Sequence, residues 1–235
     1  MKYNATLYLV PSPLGDSYLA IPEYIKQIIY PLKHFIVENQ KTARRILKHL
    51  GYPHSFDEVQ FYPLDKQTTQ DDLFDYVQEL HAGTSMGLLS EAGCPCVADP
   101  GAKVVELAHS FKIKVVPLVG PSSIMLALMA SGMSGQRFSF WGYLPIDKSE
   151  RRKELLLLEM LSLKNKQTQI FIETPYRNHQ LLEDIIKYCK KSTMLCTATN
   201  LTLSNEKIVS LPVSEWKNKK VDLRKQPTVF LIYQP

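Results

Sequence analysis

The chain has few of the features that mark metal-binding, secreted or membrane proteins. It contains four cysteines, none in a C-x-x-C pair and none followed by histidine at zinc-finger spacing, so we expect no metal site. Few cysteines and no signal peptide favour a reducing cytoplasm. The longest N-terminal apolar run ends at Pro11, which makes it too short to cross a membrane.

The sequence also lacks both glycine-rich phosphate signatures, G-x-G-x-x-G and G-x-x-x-x-G-K-[ST]. The turn after the first predicted strand, PSPLGD, contains Pro11 and Pro13, and proline has no N–H to donate to a phosphate. A later loop, EAGCPCVADPGA, adds the acids Glu91 and Asp99. The pattern disfavours a phosphate-bearing nucleotide and favours a nucleoside-like cofactor with hydroxyls, an amine or a positive centre.

Size and charge set wide limits. The 235 residues, 45% of them apolar, suffice for one large domain or two small ones. Lysine and arginine number 28 against 23 acids, a net charge of +5. This mild excess is compatible with an anionic partner and does not require one.

The first half alternates apolar runs with amphipathic stretches. The runs are short and apolar at nearly every position, which is typical of strands covered on both faces of a parallel sheet. The amphipathic stretches predict helices, so the first half is predicted to be an open α/β sheet. Strands are predicted at residues 6–10, 34–37, 86–90 and 114–119, and helices at 22–29, 41–50, 69–83 and 103–111.

The second half contains more predicted strands than helices, and the hairpins expected between these strands favour a mixed sheet. The change of texture places a domain boundary near 115–122. We therefore expect an N-terminal α/β domain of residues 1–118 and a C-terminal α/β domain of residues 119–235. Helices are predicted at 121–132, 147–161 and 176–191, and strands at 137–145, 169–174, 193–202, 206–213 and 228–233.

A family resemblance is carried by five blocks: LYLVPSPLGD, GLLSEAGCPCVADPG, PLVGPSSIMLALMASG, RFSFWGYLP with SERRKEL, and QIFIETPYR. In order and spacing they resemble the tetrapyrrole-methylase fold of S-adenosylmethionine-dependent methyltransferases, from about Thr6 to Tyr233. Within that fold they most resemble the branch that methylates a ribose 2′-hydroxyl of a cytidine in 16S ribosomal RNA. A sulfonium nucleoside without phosphates is also the kind of ligand that the proline-rich turn favours.

The resemblance implies two α/β domains with S-adenosylmethionine in the cleft between them, and a homodimer. It also assigns cofactor contacts, by position, to residues on the matching motifs. Thr174, Tyr176, Leu201 and Thr228 are equally compatible with sheet core or turn. The implied contacts are Leu14 for adenosine, Glu91, Ala92 and Cys94 for the methionine part, Ser123 and Ile124 at a helix start, and Thr174, Tyr176, Leu201 and Thr228 over the adenine.

The chain departs from the RNA-methylating branch on the acceptor side. The family's Glu-Asp-Thr-Arg after the second strand keeps its first acid as Glu38, but Asn39 and Lys41 replace the second acid and the arginine. These changes indicate a divergent acceptor. The other replacements are YPLDKQT for a histidine-rich segment, Thr199-Asn200 for an Arg-Glu pair and Gln226-Pro227 for a Gly-Glu pair.

Methyl transfer to a hydroxyl requires a base that removes the proton. Glu38 is the first candidate, because it ends a predicted strand beside the cleft, and Asp99 is the second. A salt bridge from Glu38 to Lys41 or Arg44 is the alternative. Phosphates of an RNA acceptor are predicted to bind cationic side chains, although the helix SERRKELLLLE can equally present its charges to solvent alone. The predicted phosphate ligands are Arg44, Arg45, Arg151 and Arg152.

Other functions stay open from the sequence. A small-molecule acceptor such as a tetrapyrrole competes with RNA, and the altered acceptor side also suits a non-catalytic relative that binds S-adenosylmethionine or RNA. A serine hydrolase using Ser122 or Ser123 is disfavoured, because GPSSI has isoleucine where a G-x-S-x-G turn needs its second glycine.

Overall fold

The computed structural model describes residues 5–235, which fall into two compact units divided between Ser122 and Ser123. The first, unit 1, contains five strands: β1 (Thr6–Val10), β2 (His34–Val37), β3 (Gln60–Pro63), β4 (Met86–Leu89) and β5 (Lys114–Pro117). Its helices are α1 (Tyr24–Ile29), α2 (Gln40–His49), α3 (Gln70–His81) and α4 (Ala102–Ser110), with a 3-10 turn at Phe56–Glu58.

The sheet of unit 1 is parallel throughout, in the order β3-β2-β4-β1-β5. This confirms the predicted parallel α/β sheet. Strand β3 was not predicted, because it lies at an edge, buries Phe61 and ends at Pro63. Since all five strands point the same way, the turns after β2, β4, β1 and β5 lie side by side at one edge, where α/β proteins bind ligands.

The second, unit 2, contains a mixed sheet in which one strand pair is parallel and the other three pairs are antiparallel. The mixed sheet predicted for the second half is thereby confirmed. Its strands are β6 (Phe138–Tyr143), β7 (Thr168–Ile172), β8 (Met194–Thr199), β9 (Lys207–Pro212) and β10 (Thr228–Tyr233), in the order β6-β7-β10-β8-β9. Its helices are α5 (Ser123–Ser131), α6 (Lys148–Asn165), α7 (Asn178–Tyr188) and α8 (Val213–Trp216).

Antiparallel pairing decides which loops of unit 2 meet. Strand β10 runs opposite to β7 and β8, with Thr228 in register with Thr199 and Val229 with Ile172. The segment entering β10 therefore lies at the edge where β7 and β8 end. Within residues 5–235 no helix is both long and apolar enough to cross a bilayer.

Candidate functional site

The turn after β1 is hydrogen-bonded to the turn after β4. The Ser12 N–H donates to the Gly93 carbonyl at 2.9 Å, and the Gly93 N–H donates back to the Ser12 carbonyl at 3.0 Å. The Ser12 hydroxyl donates to the Ser90 carbonyl at 2.6 Å, and the Ser90 hydroxyl donates to the Gly93 carbonyl at 2.9 Å. Both serines are buried, so the two turns form one rigid wall at the carboxyl edge of unit 1.

Residues 11–13 therefore have no free backbone N–H. Proline at positions 11 and 13 has none, and the Ser12 N–H between them is bonded to Gly93. Phosphate cradles depend on N–H groups that point at the ligand. This stretch of the wall is thus unsuited to a phosphate, as the sequence predicted.

Asp99 organises the loop after β4 in the same way. Its carboxylate accepts the N–H of Cys96 at 2.9 Å and that of Gly101 at 2.8 Å. Cys96 and Ala98 adopt left-handed φ values of 68° and 64° within this loop. Burial raises the pKa of Asp99, while the two N–H bonds oppose the rise. Asp99 is thus committed to the backbone of its own loop.

The turn after β5 packs directly on the turn after β1. A Cβ on Gly120 would lie 2.1 Å from the Pro11 Cβ, so only glycine fits at position 120. The Cys94 thiol donates to the Pro121 carbonyl with a separation of 3.4 Å, which ties the β4 loop to the same turn. The three proline-containing turns after β1, β4 and β5 are therefore in mutual contact.

The predicted cofactor residues of unit 1 lie in the two turns that form this wall. Leu14 is half-buried, and a Cβ on Gly93 would lie 3.2 Å from the Leu14 Cδ2. Glu91 and Ala92 are exposed, and Cys94 is half-buried, with burial raising the pKa of its thiol. All four lie in the turns after β1 and β4. The structure thus brings the two motifs together, and their role as ligands stays a prediction.

Glu38 follows β2, which pairs with β4. Burial is the main cause that raises the pKa of this half-buried carboxyl. The charge of Asp99 raises the pKa further, and a hydrogen bond from the Glu91 backbone opposes the rise. No ion pair among residues 5–235 includes Glu38, so the alternative salt bridge to Lys41 or Arg44 is absent there. The raised pKa and the absence of a cation partner within that range of residues leave Glu38 as a candidate proton acceptor.

At the start of α5, the side chain of Ser123 is partly accessible and that of Ile124 is buried. Ser123 is half-buried, whereas Ile124 is only 7% exposed. Only the backbone of Ile124 is therefore available to a ligand.

The other predicted residues of unit 2 lie in the loops where β7 and β8 end and β10 begins. Thr174 is half-buried and Tyr176 is 80% exposed. Leu201 and Thr228 are buried, and the Thr228 hydroxyl lies 3.1 Å from the Thr199 hydroxyl. The Tyr176 ring is accessible to a ligand, whereas Leu201 and Thr228 have only their backbone to offer.

The departures from the family pattern in unit 2 contact one another. The Asn200 N–H donates to the Pro227 carbonyl at 2.9 Å, and the Asn200 side-chain amide donates to Gln226 Oε1 at 2.8 Å. Together with the Thr199 and Thr228 hydroxyls they form a neutral network where the family pattern has charged residues. The sequence revealed each substitution but not the network, because its two halves are 26 residues apart.

Arg151 is buried and is not accessible to a phosphate. It is 2% exposed, and its Nε and Nη2 donate to Asp184 Oδ2 at 2.9 and 2.6 Å. Its Nη1 donates to the carbonyls of Pro145 and Ile146 at 3.2 and 2.7 Å. This placement corrects the prediction that Arg151 holds an RNA phosphate, since the guanidinium is buried and engaged on all sides.

The remaining predicted phosphate ligands are exposed. Arg44 and Arg45 lie on α2, and the Arg44 guanidinium sits 5.3 Å from the centre of the Phe61 ring. Arg152 lies beside the buried Arg151 on α6, with its guanidinium 5.3 Å from the centre of the Tyr188 ring. These three arginines keep the accessibility that a phosphate contact requires.

The chain is similar to several curated proteins, including two that match over nearly its whole length, while no family model matches it. Ribosomal RNA small subunit methyltransferase I of Escherichia coli O157:H7 is 30% identical over 230 residues, which cover 96% of this chain and 77% of that protein. The protein of the same name from Vibrio cholerae is 29% identical, covering 97% of this chain and 76% of its own length.

Solved structures give the fold. The chain is similar to the methyltransferase CobJ with a TM-score of 0.64 and 14% identity, covering 98% of this chain and 94% of that one. It is similar to diphthine synthase with a TM-score of 0.66 and 13% identity, covering 97% and 90%. It is also similar to the uroporphyrin-III C-methyltransferase of Thermus thermophilus, solved with S-adenosyl homocysteine. The TM-score is 0.57 and the sequence identity is 13%, and the match covers 98% of both chains. The tetrapyrrole-methylase fold implied by the five sequence blocks is confirmed.

Proposed function

The chain belongs to the ribosomal RNA small subunit methyltransferase I family, and we propose that it methylates a ribose 2′-hydroxyl of 16S ribosomal RNA with S-adenosylmethionine as donor. The observation that carries this proposal is the chemistry of the carboxyl edge of unit 1. There the backbone N–H groups of Ser12, Cys96 and Gly101 are bonded within the protein, and acidic side chains remain.

The residues at this edge fit S-adenosylmethionine. Glu38, Glu91 and Asp99 place negative charge where a sulfonium would be favoured and a phosphate repelled. We assign Leu14 to the adenosine, and Glu91, Ala92 and Cys94 to the methionine part. When bound, S-adenosylmethionine supplies a methyl group already activated for displacement.

The proposed contacts from unit 2 differ in whether the side chain or only the backbone of each residue is accessible. Tyr176 offers an exposed ring that can stack on adenine. Ser123 and Thr174 are half-buried and offer polar side chains. Ile124, Leu201 and Thr228 are assigned backbone contacts, because their side chains are buried.

Glu38 is the proposed general base. A ribose hydroxyl must lose its proton as it attacks, and a carboxylate whose pKa is raised from its ordinary value accepts that proton more readily. Asp99 is the second candidate, less suited because its oxygens accept two backbone N–H groups. The rest of the rate enhancement is assigned to holding the hydroxyl in line with the methyl group.

The acceptor is assigned to the exposed cations Arg44, Arg45 and Arg152, which would contact RNA phosphates. A protein that acts on ribosomal RNA is expected in the cytoplasm. Glu38, free of any cation partner among the described residues, favours an active enzyme over a non-catalytic relative.

We also propose that the chain forms a homodimer. The helix α6 exposes a stripe of apolar side chains at helical spacing, and such a stripe is commonly covered by a partner. The substitution Met160→Glu should then yield a monomer in analytical ultracentrifugation. A parent protein that already sediments as a monomer would contradict the proposal. The stripe consists of Leu156 and Leu157, each 40% exposed, Met160 at 53% and Leu163 at 44%.

The direct test is incubation with methyl-labelled S-adenosylmethionine and small ribosomal subunits from cells that lack the protein. We expect label in 16S RNA, confined to ribose. Label in a small-molecule pool alone would replace RNA by a small acceptor. No label from either source, with S-adenosylhomocysteine still bound, would make the protein a non-catalytic relative.

A further inference from the structure

Helix α2 carries positive charge without any balancing acid. Its sequence, QKTARRILKH, contains Lys41, Arg44, Arg45 and Lys48 and no Asp or Glu, and all four cations are exposed. None of the ion pairs found among residues 5–235 includes any of them. Protein surfaces commonly mix both signs, so a helix face of unpaired cations is typical of a surface that binds a polyanion.

At the carboxyl end of α2, the His49 ring lies flat on the Tyr18 ring. Their centroids are 4.6 Å apart and their planes differ by 3°. The His49 Nδ1 lies 2.9 Å from the Arg45 carbonyl, and because a carbonyl only accepts, Nδ1 carries the hydrogen. Tyr18 in turn packs against the apolar core of unit 1. His49 is therefore an exposed aromatic ring in a fixed orientation.

We propose that His49 is a stacking position for a base of the acceptor RNA, whose phosphates follow the cations of α2. The inference rests on the proposed function and adds a contact outside the reacting nucleotide. Every nucleic-acid base can stack on an aromatic side chain, whichever base it is. The His49 ring is already fixed by two contacts, so it loses little conformational entropy when a base binds. Leu19, next to Tyr18 in the chain and 98% exposed, adds an apolar surface beside the stack.

Helix α2 connects His49 to Glu38, the proposed general base. Glu38 directly precedes Asn39, the N-cap of α2, and α2 then runs from Gln40 to His49. With a rise of about 1.5 Å per residue, His49 lies about 13 Å along the helix from its start. This length corresponds to roughly four nucleotides at about 3.4 Å per nucleotide of a stacked strand. A strand with its ribose at Glu38 can therefore reach His49 with a base a few nucleotides away.

An acidic protein surface is the other polyanion that would suit α2. Cations alone satisfy such a partner, whereas the Tyr18–His49 stack adds a flat, fixed ring that acidic side chains do not need. The stack therefore favours single-stranded RNA over an acidic protein.

The test compares His49→Ala with Phe74→Ala in binding of a short, fluorescently labelled single-stranded RNA. Phe74 is 42% exposed and contacts one ring, that of Phe111, on a different helix, so its removal controls for the loss of an exposed aromatic. We expect His49→Ala to weaken RNA binding by roughly 5- to 150-fold. His49→Phe should retain most of the affinity, and Phe74→Ala should bind as the parent does.

Two further measurements separate stacking from charge. An RNA of the same length without bases should bind parent and His49→Ala equally. With RNA that carries bases, Lys48→Gln should make the dependence of log affinity on log salt concentration shallower by about 0.7, because one phosphate contact is lost. Equal RNA affinity of His49→Ala and Phe74→Ala would overturn the inference, as would tighter binding of polyglutamate than of RNA.

The outcomes also separate this inference from the proposed function. If the parent methylates 16S RNA and His49→Ala binds RNA as tightly as the parent, only the stacking position fails. If the parent binds S-adenosylhomocysteine but neither binds nor methylates RNA, the proposed acceptor fails and the inference fails with it.

Discussion

Ser12 and Gly93 exchange two backbone hydrogen bonds, of 2.9 and 3.0 Å, between the turns that follow β1 and β4. The exchange occupies the N–H that lies between Pro11 and Pro13, so residues 11–13 have none to offer a phosphate. The same edge carries Glu38, Glu91 and Asp99. A closed backbone lined with acids suits a positively charged nucleoside, and the proposed function depends on that relationship.

Glu38→Gln should lower the methyl-transfer rate while leaving binding of S-adenosylhomocysteine unchanged. Glutamine keeps the size of the side chain but cannot accept the hydroxyl proton, so we expect kcat to fall about 100- to 10,000-fold. The parent rate should also fall as the pH is lowered through the raised pKa of Glu38, since protonation removes the base. A variant with parental kcat would exclude Glu38 as the base.

The same substitution should stabilise the fold at neutral pH. The pKa of Glu38 is raised above its ordinary value of 4.5, so the folded protein holds this proton more tightly than the unfolded chain does. Its contribution to stability is complete below the unfolded pKa and is lost as the pH rises through the folded pKa. Urea unfolding of Glu38→Gln should show a gain near neutral pH that disappears in acid. A pH-independent difference would contradict the shift.

Gly120→Ala should destabilise unit 1. The added methyl would lie 2.1 Å from the Pro11 Cβ, and the two turns must move apart to admit it. We expect a loss of about 1–3 kcal/mol in the free energy of unfolding, together with weaker binding of S-adenosylhomocysteine. Gly135→Ala is the matched control, because nothing lies within 4 Å of a Cβ there. Equal stability of the two variants would contradict the close packing of these turns.

Arg151→Ala and Arg152→Ala should have opposite effects. Removing Arg151 leaves the buried Asp184 carboxylate without its cation, which should cost about 3–5 kcal/mol of stability with little change in RNA affinity of the folded protein. Arg152 is exposed, so its loss should change stability by less than about 0.5 kcal/mol and weaken RNA binding. Thermal unfolding and RNA binding measured on both variants distinguish the two roles, and reversed results would restore Arg151 as a phosphate ligand.

Local sequence pattern was enough for the elements that position the site. Strand β1 is apolar along its length, and the predicted span of residues 6–10 is the observed one. Helix α3 begins within its predicted range of residues 69–83, directly after Thr69, which forms a capping box with Asp72. Strand β3 escaped prediction because a short edge strand with one buried side chain has no distinctive period.

Long-range partners could not be predicted from the sequence. Arg151 has the pattern of a surface residue in the first turns of a charged helix, and its partner Asp184 is 33 residues away. Asn39 stands out in the sequence as a missing acid of the family pattern. In the structure it caps α2 by accepting the N–H of Lys41 at 2.9 Å and of Thr42 at 3.1 Å, a role that needs no charge.

Calorimetry with S-adenosylhomocysteine and with ATP tests the central claim most directly, because both ligands carry adenosine and only ATP carries phosphates. With the backbone N–H groups of Ser12, Cys96 and Gly101 bonded within the protein and acids at the same edge, S-adenosylhomocysteine should bind with saturable heat and ATP should give none. Tighter binding of ATP, or no heat from S-adenosylhomocysteine, would contradict the account.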